Sequence, residues 1–200
     1  MDLSKLAVIF IGYQNDYFAT DGILRGVIEE SDRTNNILEK SQEIVEKLKG
    51  TDALMIQTPI IFTSDYSELI NPVGILKTIS EVGAFAEGSP GSEIIPEFQK
   101  FGDIVQTVEG KRGLNAFSDT NLASTLSSQG VEQIVLAGAV TSICIDSTGR
   151  AAHERGFQVT VLSDCTASRT VFEQEFYCEN VFPLYSEVIS AQEFLDRAVG

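Results

Sequence analysis

Three cysteines, one histidine and a lysine between two strand-like segments are the groups here whose types and spacing suggest covalent chemistry. The segment Gly138-Ala139-Val140-Thr141-Ser142-Ile143-Cys144 ends a strand, turns on small residues and opens a helix, so Cys144 falls in the first helical turn. Unpaired backbone N–H groups and the helix dipole at that point favour an anion, hence thiolate over thiol. The same N–H groups suit a developing oxyanion. A cysteine that only fills space beside a sheet fits the pattern equally well. Cys165, in Ser163-Asp164-Cys165-Thr166, also follows a strand but has nothing basic near it in sequence, and Cys178 reads as a core or interface thiol. His153 lies late in the helix that Cys144 opens, about 12 Å or more away at ~1.5 Å per residue. A continuous helix therefore excludes a Cys–His dyad, and His153 reads as a cation at the helix C-terminus. Lys111 follows a strand in Val108-Glu109-Gly110-Lys111, where it either stabilises a thiolate from the Cys144 loop or is a solvated loop lysine.

These groups need a scaffold that brings strand ends together. Leu6–Ile11 is a continuous apolar run, as in a strand buried on both faces, and it ends at Gly12. Further strands are expected at 52–56, 104–108, 134–137, 159–162 and 187–189. Helices are expected after Ser31 through Leu48, at 92–99, from Asp119 or Thr120 to Gln129, at 143–155 and 169–179, and from Ala191 onward. Residues 63–90, with Pro72, Gly74, Gly83 and Gly88, read as an excursion over one end of the sheet, where substrate loops lie. Strands alternating with helices, with no dividing linker or repeat, predict one α/β domain over 1–200, with ligands beyond the carboxyl ends of the strands.

Composition narrows the function. The chain has 200 residues and a formal charge of −15, with 14 basic residues scattered along it. That argues against nucleic acid or an anionic membrane as partner. The apolar start is too short for a signal peptide, so the expected location is cytoplasmic. Three cysteines without a CxxC, and one histidine without a nearby second ligand, predict neither a disulfide framework nor a metal site. No glycine-rich phosphate loop follows any strand.

Gln14-Asn15-Asp16-Tyr17-Phe18, Gly88 through Glu97, Lys111 with Asn115-Ala116-Phe117, and Ala137 through Ile145 with Ser147-Thr148-Gly149-Arg150-Ala151-Ala152 together resemble the isochorismatase-like superfamily of cysteine hydrolases, which includes nicotinamidases and related amidases. The resemblance implies a three-layer α/β/α Rossmann-like sandwich on a mostly parallel six-stranded sheet. It implies an Asp–Lys–Cys triad, with Cys144 as nucleophile and Lys111 as its electrostatic partner. It also implies a cis Ala139–Val140 peptide that aims the Val140 and Cys144 N–H groups at an oxyanion. Tyr13, Gln14, Tyr17 and Phe117 become candidate pocket residues. A small-molecule substrate, no cofactor, and a homo-oligomer of two or more copies are expected, with Phe172, Phe176 and Phe182 as interface candidates.

Two departures matter. The triad aspartate falls at Gly12, and the D-x-H metal motif of nicotinamidases is replaced by Gln57-Thr58-Pro59-Ile60-Ile61-Phe62. The expected activity is hydrolysis of a small amide, imide or related acyl compound through a Cys144 acyl-enzyme. Glu109, Asp16 or Tyr13 are candidate replacement acids. The alternative is a ligand-binding or regulatory pseudoenzyme impaired by Gly12.

Overall fold

The structure is a computed structural model describing residues 1–200. Its strands are β1 (Leu6–Ile11), β2 (Leu54–Thr58), β3 (Gln106–Thr107), β4 (Gln133–Ala139), β5 (Gln158–Ala167) and β6 (Glu187–Ile189). They form one parallel sheet in the order β3-β2-β1-β4-β5-β6. The chain builds outward from β1 in one direction, then returns to β4 and builds outward in the other. That reversal opens a crevice beyond the carboxyl ends of β1 and β4.

The helices are α1 (Asn15–Phe18), α2 (Glu29–Asn35), α3 (Ile37–Leu48), α4 (Gly74–Val82), α5 (Pro96–Gln99), α6 (Leu122–Ser128), α7 (Asp146–Glu154), α8 (Val171–Phe176) and α9 (Ala191–Val199). They cover both faces of the sheet. Because side chains alternate along a strand, Ala7, Ile9 and Ile11 of β1 pack with Leu122, Leu126 and Ala152, while Leu6, Val8 and Phe10 pack with Ile44, Leu48 and Phe194. Every residue of β1 is buried, which is what a continuous apolar run requires. Gly138 in β4 has φ +123, and a Cβ there would run into the Ile11 carbonyl, so only glycine lets the ends of β1 and β4 meet.

Several boundaries differ from the sequence reading. The helix expected after Ser31 is broken at Asn36, which is left-handed at φ 52. Ser31 lies inside α2, where its hydroxyl donates to the Ser168 carbonyl at 2.6 Å. The strand expected at 104–108 contracts to an edge pair, because Ile104 belongs to a 3₁₀ turn, Gly102–Ile104. β5 continues past 162 to Ala167, with a break in its register against β4 between Leu136 and Gly138. The helix expected at 143–155 begins as a π turn, Thr141–Ile145, since the Val140 carbonyl accepts from both the Ile143 and Ile145 N–H groups. The helix expected at 169–179 likewise passes from α8 into a π turn, Tyr177–Val181.

Candidate active site

Cys144 sits in the π turn that follows β4, and only 3% of its surface is exposed. Lys111 comes from the segment after β3, where its backbone bridges to Ile60, and it is fully buried. Its Nζ lies 3.5 Å from the Cys144 Sγ and also donates to the Gly113 carbonyl. Two hydrogen-bond chains hold this meeting in place. Thr148 of α7 accepts from the Ala116 N–H at 3.0 Å, fixing the lysine loop to the helix behind the cysteine. Thr141 donates to the Gln174 Oε1 at 2.5 Å, and Gln174 Nε2 donates to the Ser163 carbonyl and to Thr166 Oγ1 at 2.8 Å each, tying the cysteine turn to β5. The Ala139–Val140 peptide is cis.

Gly12 follows β1 with φ +76, a conformation that L side chains rarely adopt. A Cβ there would stand 3.2 Å from the Ala139 carbonyl oxygen and 3.4 and 3.5 Å from two ring carbons of Tyr17. The first strand therefore presents no carboxylate to Cys144. Asp16 does not take its place as a free acid. Its carboxylate accepts the Phe85 N–H at 2.6 Å, and Gly91 presses so close that a Cβ would overlap it. Burial nevertheless pushes that carboxyl up, against the pull of the Phe85 and Ile23 N–H groups. Glu109 is exposed.

The four pocket candidates separate. Tyr17, 1% exposed with its ring 5.0 Å from that of Phe85, and Phe117, 5% exposed, pack in the same cluster as Cys144. Tyr13 is a correction: it points to the opposite face, where it stacks on Phe18 and Phe98 and pairs with the Ser41 hydroxyl at 2.5 Å. That position also removes it as a replacement acid. Gln14 is a clamp rather than a pocket wall. Its amide donates to the Ile60 and Ser92 carbonyls at 2.8 and 2.7 Å and accepts the Ile60 N–H at 2.7 Å, which exhausts its reach. Phe117 stacks on Phe157, with the Arg155 guanidinium 4.8 Å from its ring. His153 lies in the last turn of α7 beside Tyr185, away from the thiol.

Ser142 and Ile143, the two residues before Cys144, line an open cleft of about 970 Å³. The excursion supplies one wall, from Glu68 to Thr78, as the sequence reading placed it. Leu114, Arg169, Glu173 and Tyr177 supply the other and were missed. The one available signal was the i,i+4 spacing of Arg169 and Glu173, which pair at 2.9 Å. Across the cleft Arg112 pairs with Glu68 at 3.3 Å, and Thr63 holds Glu68 from its N–H and hydroxyl at 2.6 and 2.5 Å. No group of three or more His, Cys, Asp or Glu side chains is placed to hold a metal ion.

A doubly wound sheet with a buried lysine against a strand-end cysteine at its switch point defines an isochorismatase-like α/β hydrolase. Residues 6–193 match the Isochorismatase domain, and the chain belongs to that family. It is 24% identical over 204 residues to the isochorismatase family protein YwoC of Bacillus subtilis, covering 98% of this chain and 96% of that one. It is 29% identical over 119 residues to Nicotinamidase 3 of Arabidopsis thaliana, covering 60% and 59% of the two chains. The crystal structure of a cysteine hydrolase from Pseudomonas syringae pv. phaseolicola shares the fold with a TM-score of 0.86 at 20% identity, over 98% of this chain and 93% of that one.

Proposed function

We propose that this protein hydrolyses a small amide, imide or related acyl compound through an acyl-enzyme on Cys144. The observation that carries the proposal is the buried Lys111 ammonium 3.5 Å from the Cys144 sulfur, with no carboxylate hydrogen-bonded to it. A cation sealed beside a thiol favours the thiolate, which is the nucleophile. The thiolate attacks the carbonyl carbon, and the oxygen takes the negative charge. The Val140 and Cys144 N–H groups are proposed to receive that charge at the mouth of the turn, as preorganised donors in a site shielded from water. Collapse expels the amine and leaves a thioester, which water cleaves to the acid.

The cleft beside Ser142 and Ile143 admits the substrate, with apolar residues such as Leu69, Leu76 and Leu114 beside the Arg112–Glu68 and Arg169–Glu173 pairs. A panel of amides and activated esters, with acid-quenched mass spectrometry of the protein, tests the reading. An acyl adduct on the Cys144 peptide supports it. Turnover with an unmodified Cys144, or turnover surviving in Cys144→Ala, overturns it. We further propose a homo-oligomer whose contact includes Phe172 and Phe176, stacked at 6.1 Å and 76% and 46% exposed. Phe182, in contrast, is buried within its own chain. Light scattering on Phe172→Ser reads the association state directly.

A further inference from the structure

A thiolate and a cation do not complete amide cleavage, because an amine leaves poorly unless it is given a proton. Asp16 is bound up by backbone N–H groups, Glu109 is exposed and Tyr13 faces away. One titratable group does occupy the space beside Gly12. The ring edge of Tyr17 lies 3.4 and 3.5 Å from the point where a side chain at residue 12 would begin. The Ala139 carbonyl, which leads into the cysteine loop, lies 3.2 Å from the same point. Gly12 thus places no side chain between the Tyr17 ring and the Ala139 carbonyl. Packing against Phe85 holds the ring, which is 1% exposed.

We infer that Tyr17 is the proton donor of this reaction, a catalytic phenol standing where the resemblance expects a carboxylate at position 12. The inference rests on the reading of Cys144 as nucleophile. The steps balance. The Cys144 thiolate bonds to the carbonyl carbon. The tetrahedral species then breaks its C–N bond while the Tyr17 O–H proton passes to the departing nitrogen, giving amine, thioester and phenolate. Water next attacks the thioester and gives its proton to the phenolate, so the acid leaves and both thiolate and phenol are restored. The two anions never coexist. Phenolate forms only when the sulfur is acylated, so Lys111 balances one negative charge throughout. Burial above all, then the nearby Cys144 and Asp16 charges, push the Tyr17 phenol well above its ordinary range. It therefore stays protonated until the intermediate collapses, and its phenolate is a strong base toward water.

The donor matters only when the leaving group needs a proton. The test therefore uses one acyl group presented as its p-nitrophenyl ester, whose leaving group departs as an anion, and as its p-nitroanilide, whose leaving group does not. Tyr17→Phe keeps the ring and removes only the hydroxyl. The ratio of its anilide turnover to its ester acylation burst is expected to fall about 10²-fold or more below wild type, and an unchanged circular-dichroism melt reports an intact fold. Equal losses on both substrates, no loss on the anilide, or a wild type that bursts on the ester but never cleaves the anilide overturns the assignment of Tyr17 alone. A burst that persists in Cys144→Ala, or no burst in the wild type, sinks the nucleophile reading and this one with it.

Discussion

Cys144 and Cys165 stand near the carboxyl ends of adjacent strands, on opposite faces of one sheet, and both are buried. Each has a lysine and a tyrosine in its neighbourhood. The surroundings nevertheless differ. Lys111 has no carboxylate hydrogen-bonded to it, only a backbone carbonyl and the sulfur itself. Lys40, near Cys165, is 2.9 Å from Asp164, and its charge is answered there. Burial, reinforced by Asp164, pushes the Cys165 thiol up to about 12 despite Ser41 and Lys40. Tyr13 faces Cys165 and shares a hydrogen bond with the Ser41 hydroxyl, whereas no hydrogen bond draws the Tyr17 phenol down. What distinguishes the two thiols is the cation beside each, one without a carboxylate partner and one already paired, not burial and not the number of charges nearby.

The largest effect that sharpens this contrast is on turnover. Cys144→Ala should lose more than about 10³-fold in kcat on whatever amide or ester the panel identifies, while Cys165→Ala retains wild-type kinetics. A comparable loss in both variants would break the comparison. Next is the cation. Lys111→Met should slow iodoacetamide labelling of Cys144 at neutral pH by about 10²-fold, and Lys40→Met should leave Cys165 unlabelled, with labelled peptides counted by mass spectrometry.

A third prediction concerns alkaline stability. Cys165 in the folded chain keeps its proton up to about 12, while the unfolded thiol loses it near the ordinary value of 9. The folded state therefore holds the extra proton between those limits. Its contribution to stability is fully present below pH 9 and is lost as pH rises toward 12, at about 1.4 kcal/mol per pH unit. Urea unfolding across that window should fall less steeply for Cys165→Ala than for wild type. The smallest effect belongs to Tyr13→Phe, which loses one buried hydrogen bond to Ser41, about 1 kcal/mol, with kcat unchanged.

β1, β6 and the start of α9 at Ala191 were legible in the sequence to the residue. The pairing of Cys144 with Lys111 was expected from the family resemblance, whereas loop position alone left a solvated lysine equally open. The faces were not legible. Tyr13 and Tyr17 are four residues apart, and the left-handed turn at Gly12 decides which one meets which cysteine. The cleft was half legible, since its second wall comes from Leu114 and from α8, far apart in the chain and joined only by the fold. The π turn at Cys144 has no sequence signature beyond that of a helix start.

Lys111 has a consequence for how the fold tolerates change. A fully buried ammonium held by one carbonyl and one sulfur is a poor trade for the water it gave up, and such charges are often matched or bettered by an apolar side chain of similar volume. Lys111→Met should melt at or above the wild-type temperature in calorimetry while it is catalytically crippled. Selection for robustness alone would drift away from this residue, so its retention is the signature that the proposed catalysis predicts.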